Sequence, residues 1–133
     1  MSTRSMVAIK QADGTFLGMW KHWDGYPQYM MSMLNDYGNF CEDDLAEELV
    51  QFGECDSVIS QEYLDKHPDM YEESKLTPLS NGFYIYCGRK YPVVYESIED
   101  CFGEDIEYLY VWVLGRSYRW GVIDGYSNII RGV

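Results

Sequence analysis

Six consecutive residues, His22-Trp23-Asp24-Gly25-Tyr26-Pro27, concentrate the chemistry this chain offers. A histidine beside an aspartate is raw material for general acid–base catalysis, because the carboxylate can orient the imidazole. Hydrolysis by such a pair also needs a nucleophile, and the nearest hydroxyls, Ser5 and Ser32, sit in no recognisable motif. G-x-S-x-G, H-E-x-x-H, P-loop and G-x-G-x-x-G patterns are all missing, so no catalytic residue is assigned. The same segment reads as a ligand-binding junction in which His22, Trp23, Asp24 and Tyr26 line a pocket at a strand end. Arg4 and Ser5 would then contribute an anion contact, unless Arg4 simply pairs with Asp24. The plainer reading is purely structural: Asp24 or the turn after it caps a helix, Gly25 takes a positive φ, and Pro27 starts the first turn.

Metal and redox chemistry find little support. His67 stands far along the chain from His22, ahead of Pro68-Asp69 in a loop. The cysteines Cys41, Cys55, Cys87 and Cys101 show no knuckle spacing, so free thiols are expected, with no metal and no cofactor. Residues 1–10 hold no apolar leader and no stretch reaches 18 apolar residues, which predicts a cytoplasmic protein that neither crosses nor enters a membrane.

Charge narrows the function classes further. The 133 residues carry 22 acidic and 10 basic side chains, a net charge of −12. Residues 40–110 hold 18 of those acids and only four of the bases, Lys66, Lys75, Arg89 and Lys90, for a local charge of −14. Such a field repels phosphates and argues against direct nucleic-acid binding. It favours a basic protein partner, with Glu42, Asp43, Asp44, Glu47 and Glu48 as the densest candidate surface; ordinary solubilisation is the plainer explanation.

The elements that must position these groups are legible in outline. A strand over Arg4–Lys10, a turn at Asp13-Gly14 and a second strand over Thr15–Trp23 predict an N-terminal hairpin. A helix follows from Pro27, with Tyr26, Met30, Met33, Leu34 and Tyr37 as its stripe and Gly38 beyond its end. A second helix runs from Asp44 to Phe52, where Asp44 and Glu47 have capping-box spacing and Gly53 terminates it. Residues 54–82 look irregular, with a short helix over Gln61–Lys66 and an acidic surface loop over His67–Pro78. Strands are expected at Phe83–Cys87, Val93–Tyr95, Glu107–Leu114 and Tyr118–Ile123, the last two joined through Gly115-Arg116-Ser117, and a short helix at Ser97–Phe102. On the strand Tyr108–Val113 both faces are hydrophobic, so either both are buried or one meets a partner. The fold expected is a single α+β domain over residues 1–133, an antiparallel sheet of four or five strands with two main helices packed on one face.

Thr3-Arg4-Ser5, the Asp13-Gly14 turn and the His22–Pro27 box resemble a family of small proteins in bacteriophage and bacterial genomes, whose members share a T-R-S start and an H-W-D-G-Y-P box. Leu49–Ser57, with Gly53 and Asp56-Ser57, and the pattern from Tyr108 and Tyr110 to Trp120 are also similar. The likeness spans most of the chain, and its specific motifs lie in the N-terminal third. One departure is Met31, where the family often has a glycine. The resemblance implies a phage-associated origin in a bacterial host cell rather than a reaction. Together with the acidity it points to an interaction protein, in its sharpest form a counter-defence inhibitor of the anti-CRISPR or anti-restriction kind. The alternatives are a binder of a nucleotide signal that uses the His22–Pro27 box, and a hydrolase without a known motif.

Overall fold

The computed structural model describes residues 3–37, 43–80, 82–103, 106–115, 120–124 and 129–131. The N-terminal hairpin forms as its turn chemistry dictates: β1 (Ser5–Lys10) and β2 (Phe16–Lys21) pair antiparallel from Ser5↔Lys21 to Lys10↔Phe16. The Asp13 carboxylate fixes the turn by accepting from the Thr15 amide (2.9 Å) and hydroxyl (2.6 Å). Helices α1 (Pro27–Tyr37) and α2 (Asp43–Leu49) follow, then β3 (Glu54–Cys55), β4 (Ser57–Ser60) and α3 (Gln61–Lys66). A 3-10 turn over Glu73–Lys75 leads into β5 (Leu76–Pro78), β6 (Phe83–Tyr86), β7 (Val93–Tyr95) and α4 (Ile98–Phe102). The chain closes with β8 (Tyr108–Val113), β9 (Gly121–Asp124) and β10 (Ile129–Arg131).

The α+β class holds, but the sheet is not the antiparallel one of four or five strands that the sequence suggested. Seven strands form the main sheet in the order β10-β9-β8-β1-β2-β3, with β7 also on β2. It is mixed: β8 runs parallel to β1, from Ser5↔Tyr108 to Lys10↔Val113, and β3 runs parallel to β2. Inside the sheet between β1 and β9, β8 has both edges paired and a core on each face, which its two-sided hydrophobicity reflects. Tyr110 and Trp112 enter one core while Leu109 and Val111 enter the other. The outer edge of β2 is shared, with β7 pairing Phe16–Gly18 and β3 pairing Trp20–Lys21.

The two main helices, α1 and α2, share one face of the main sheet as expected, and the short α4 covers the other. Met30, Met33 and Leu34 of α1 and Ala46 and Leu49 of α2 fill the larger core, where each fully buried apolar side chain contributes about 1.5–3 kcal/mol. Cys101 of α4, with Ile98 and Phe102 against it, closes the smaller core on the opposite face. Residues 54–82 are more regular than their composition implies: β4, β5 and β6 make a second, antiparallel sheet in the order β4-β6-β5. The short helix α3 appears where expected, with the Ser60 hydroxyl accepting from the Tyr63 amide at 3.1 Å.

Helix α2 starts one residue early and ends at Leu49, three residues short of Phe52. Gly53 does not terminate it. A Cβ there would stand 2.5 Å from the Tyr91 carbonyl oxygen, so glycine is required for two backbones to pass. Gly38, Cys41, Glu42 and the turn residues Arg116 and Ser117 lie outside the described residues.

Candidate functional site

The His22–Pro27 box is one ordered strand-to-helix junction. Its amides are held from two sides: His22 N donates to Cys55 O (3.1 Å), Trp23 N to Asp56 O (3.0 Å) and Gly25 N to Thr3 O (2.8 Å). From the β8 side, the buried Tyr110 hydroxyl donates to Gly25 O at 2.6 Å. Helix α1 then begins at Pro27, with Met30 N bonded to Tyr26 O. Two details differ from the sequence reading. The positive φ, 53°, falls on Asp24 and not on Gly25; aspartate tolerates that region better than most residues. Gly25 is needed for proximity instead, since a Cβ would lie 2.6 Å from the Thr3 oxygen and 2.8 Å from Ser5 Cβ. Among the described residues, no backbone N–H bonds the Asp24 carboxylate.

The candidate residues divide between the faces of the sheet. His22 turns away from Asp24 and bonds Glu54 Oε2 through Nε2 at 2.8 Å, its ring edge-on to Trp20 at 4.2 Å. The His22–Asp24 couple is therefore replaced by His22–Glu54. Ser5 is fully buried beneath Gly25, and its Oγ has no hydrogen-bond partner among the described residues. The Arg4 main chain is tied to Glu107, whose amide donates to Arg4 O at 3.0 Å and whose carboxylate accepts from Arg4 N at 3.3 Å. His67 stacks on Tyr63 at 4.2 Å and bonds its carbonyl through Nδ1 at 3.0 Å.

The acidic face of α2 is partly occupied internally. Asp43 accepts from Trp112 Nε1 (2.8 Å) and the Gly115 amide (2.9 Å), while Glu48 accepts from the Ser80 amide (3.2 Å) and hydroxyl (2.9 Å). Asp44 and Glu47 are exposed.

Two features escaped the sequence reading. Lys21 is fully buried, its Nζ donating to the Trp23 carbonyl and lying 5.1 Å from the Tyr29 ring centroid. Burial lowers its pKa to about 8, against the pull of Cys55 and Asp24. The thiol of Cys55, its partner across the strand pair, is pushed up to about 12 by burial. The signal was available: Leu17, Met19 and Lys21 share one parity of β2, which puts a lysine on an inward position.

The second feature is a continuous run of rings leading away from the box. Trp23 meets Tyr86 (6.0 Å between centroids), Tyr86 meets Tyr71 (4.9 Å), Tyr71 meets Tyr63 (6.3 Å), and Tyr63 carries His67. The surface shows large apolar groups beside it, with Trp23 37 %, Tyr26 40 % and Met70 57 % exposed. Acidic residues border the run: Asp24 acts electrostatically on Tyr71, the Glu72 amide contacts the Tyr86 hydroxyl at 3.4 Å while its carboxylate pairs with Lys75 at 3.3 Å, and the Asp56 main-chain carbonyl accepts from the Trp23 amide. Burial raises the Tyr71 phenol to about 12, so it remains a neutral donor. Residues as far apart in sequence as Trp23 and Tyr86 converge here because the small sheet leans against the junction through Trp23 and Asp56.

Two of the cavities among the described residues lie against the sheets. One, of about 320 Å³, lies between α4 and the main sheet, with Met6, Trp20, Glu54, Tyr95 and Phe102 among its walls. The other, of about 220 Å³, lies between α1 and the small sheet, with Tyr29, Ser32 and Tyr63 among its walls. Neither is lined by Trp23, Asp24 or Tyr26. No group of three or more His, Cys, Asp or Glu among the described residues is placed to hold a metal ion, and no described helix is long and apolar enough to cross a membrane. Comparison of the chain with protein-family models, with curated proteins and with solved structures gave no match in any of the three.

Proposed function

We propose that the protein is an acidic interaction protein that docks a basic partner, of the kind that itself grips nucleic acid, through the aromatic run beside the His22–Pro27 box. The observation that carries this reading is the contact series Trp23–Tyr86–Tyr71–Tyr63–His67, with Trp23, Tyr26 and Met70 exposed beside it. Tryptophan, tyrosine and methionine are enriched in protein interfaces, and Trp and Tyr dominate their hot spots. The bordering acidic residues and the net charge of −12 select for a positively charged counterpart and accelerate its approach. The counter-defence role extends this reading on the strength of the T-R-S and H-W-D-G-Y-P motifs alone.

The alternatives have less behind them. A nucleotide binder needs a cation at the phosphate; of the two beside the junction, Lys21 is buried and bonded to Trp23 O, and Arg4 has its main chain tied to Glu107. For hydrolysis, His22–Glu54 is a plausible acid–base pair, but the nearby thiol of Cys101 is pushed up to about 12 by burial and is not a thiolate at neutral pH. The test is capture from bacterial lysate with wild type and with the Trp23→Ala/Tyr26→Ala variant. The expected result is a partner that duplex DNA competes away, that associates at least tenfold more slowly in high salt, and that the variant fails to retain. Equal retention by the variant, or salt-insensitive association, would overturn the proposal.

A further inference from the structure

We propose that the cavity between α4 and the main sheet is a second binding site, for a small organic cation with an alkyl body, of the alkyl-guanidinium class. The argument is independent of the aromatic run, none of whose residues lines this cavity.

The cavity has the walls such a ligand requires. Met6 and Trp20 are cross-strand partners on β1 and β2, so their side chains stand together on the α4 face. Gly18, between them and β7, leaves the space into which Met6 Sδ and the Tyr95 ring close. Phe102 and Ile106 add the opposite wall. Indole, phenol and phenyl faces attract a desolvated cation through their quadrupoles and hold its alkyl stem by dispersion. A volume of about 320 Å³ is at the small end of ligand pockets, suited to a metabolite-sized guest.

Charge supplies the selectivity. Glu54 and Asp100 both line the cavity. His22 occupies Glu54 Oε2 at 2.8 Å, whereas among the described residues Oε1 has only the Tyr91 hydroxyl at 3.5 Å and Arg89 Nη1 at 4.0 Å. A charge-assisted bond wants about 2.7–2.9 Å, so Oε1 retains capacity for a donor from inside the cavity. Among the described residues of the segment from Glu96 to Glu107, four are acidic (Glu96, Glu99, Asp100 and Glu107) and none is basic. Two carboxylates among aromatic walls do not suit a hard metal ion, which takes six or more oxygens. A planar guanidinium that bonds carboxylate and stacks on rings suits them well.

The experiment is calorimetric titration with butylguanidinium and with its neutral isostere butylurea. Wild type should bind the guanidinium at least tenfold more tightly than the urea. Glu54→Gln and Asp100→Asn should each weaken the guanidinium about tenfold. A tripeptide with a central arginine and blocked ends decides the source: binding as tight as the free cation indicates a partner's side chain, and tenfold weaker binding indicates a free metabolite. Asp100 is exposed and its helix is capped through its amide by Ser97, so Asp100→Asn remains folded and decides the matter if Glu54→Gln does not. Equal binding of guanidinium and urea, no binding of either, or an Asp100→Asn variant that binds like wild type would overturn the site.

Discussion

At the scale of single residues, Gly25 explains why two sequence motifs some twenty positions apart belong together. Thr3 and Ser5 lie directly under it, and the Gly25 amide bonds Thr3 O, so the T-R-S start and the H-W-D-G-Y-P box are the two halves of one packing unit. The approach is possible only without a Cβ, and the atom in the way is a backbone oxygen that cannot rotate aside. Gly25→Ala should therefore cost about 1–3 kcal/mol by overpacking. Urea denaturation of the variant checks this, and a change within 0.5 kcal/mol would show that the junction yields more easily than its geometry implies. Asp24, by contrast, holds its left-handed backbone with its carboxylate directed to solvent and toward Tyr71, which leaves it available to a partner.

At the scale of elements, α2 shows how an acidic helix divides its charges between internal and external work. Asp43 satisfies the indole N–H of the buried Trp112, and removing the acceptor strands that donor in the core. Asp43→Ala is expected to cost about 1–3 kcal/mol, while Glu47→Lys, on the exposed side, should stay within about 0.5 kcal/mol of wild type. Thermal and urea melts of the two variants measure the contrast directly; equal effects would show that the Asp43 bond contributes nothing. Much of this layer was legible in sequence. The hairpin, α1, α3, α4 and β8 follow from turn residues and hydrophobic period. What stayed hidden was pairing: nothing local in Ser5–Lys10 says that its second neighbour is Tyr108–Val113. The strands β3 and β4 were missed because Asp56 interrupts a run whose apolar content is only Cys55, Val58 and Ile59. The site was half legible for the same reason: Trp23, Asp24 and Tyr26 were evident, but their ring partners Tyr63, Tyr71 and Tyr86 arrive through the unforeseen sheet, and Glu54 reaches His22 through β3.

At the scale of the whole molecule, buried ionisable groups set how stability responds to alkali. Lys21 holds a pKa near 8 in the folded chain against 10.5 ordinarily, so between those values the unfolded chain binds more protons and stability rises with pH. Cys55 and Cys101 are pushed up to about 12 from 9, so above pH 9 the folded chain retains protons that the unfolded chain has lost, and stability falls. Wild type should therefore be most stable near pH 9. Lys21→Met removes only the rising part, and its stability relative to wild type should drop by about 1 kcal/mol between pH 8 and 9. Chemical denaturation of both proteins at the two pH values is the measurement, and a constant difference would mean that Lys21 does not titrate there.

The parallel pairing of β1 with β8 also has a consequence in time. The two strands are the centre of the sheet, yet they stand far apart in the translation order, Ser5 against Tyr108. At a ribosomal rate of about 5–20 residues per second, β1 waits roughly 5–20 s for its neighbour. Throughout that interval the nascent hairpin offers an open strand edge and an unfilled core to whatever is nearby, so chaperones or another growing copy compete with β8 for it. The last third of the chain thus acts as the closing step of folding, and the rate of synthesis itself becomes one of the conditions under which this protein matures.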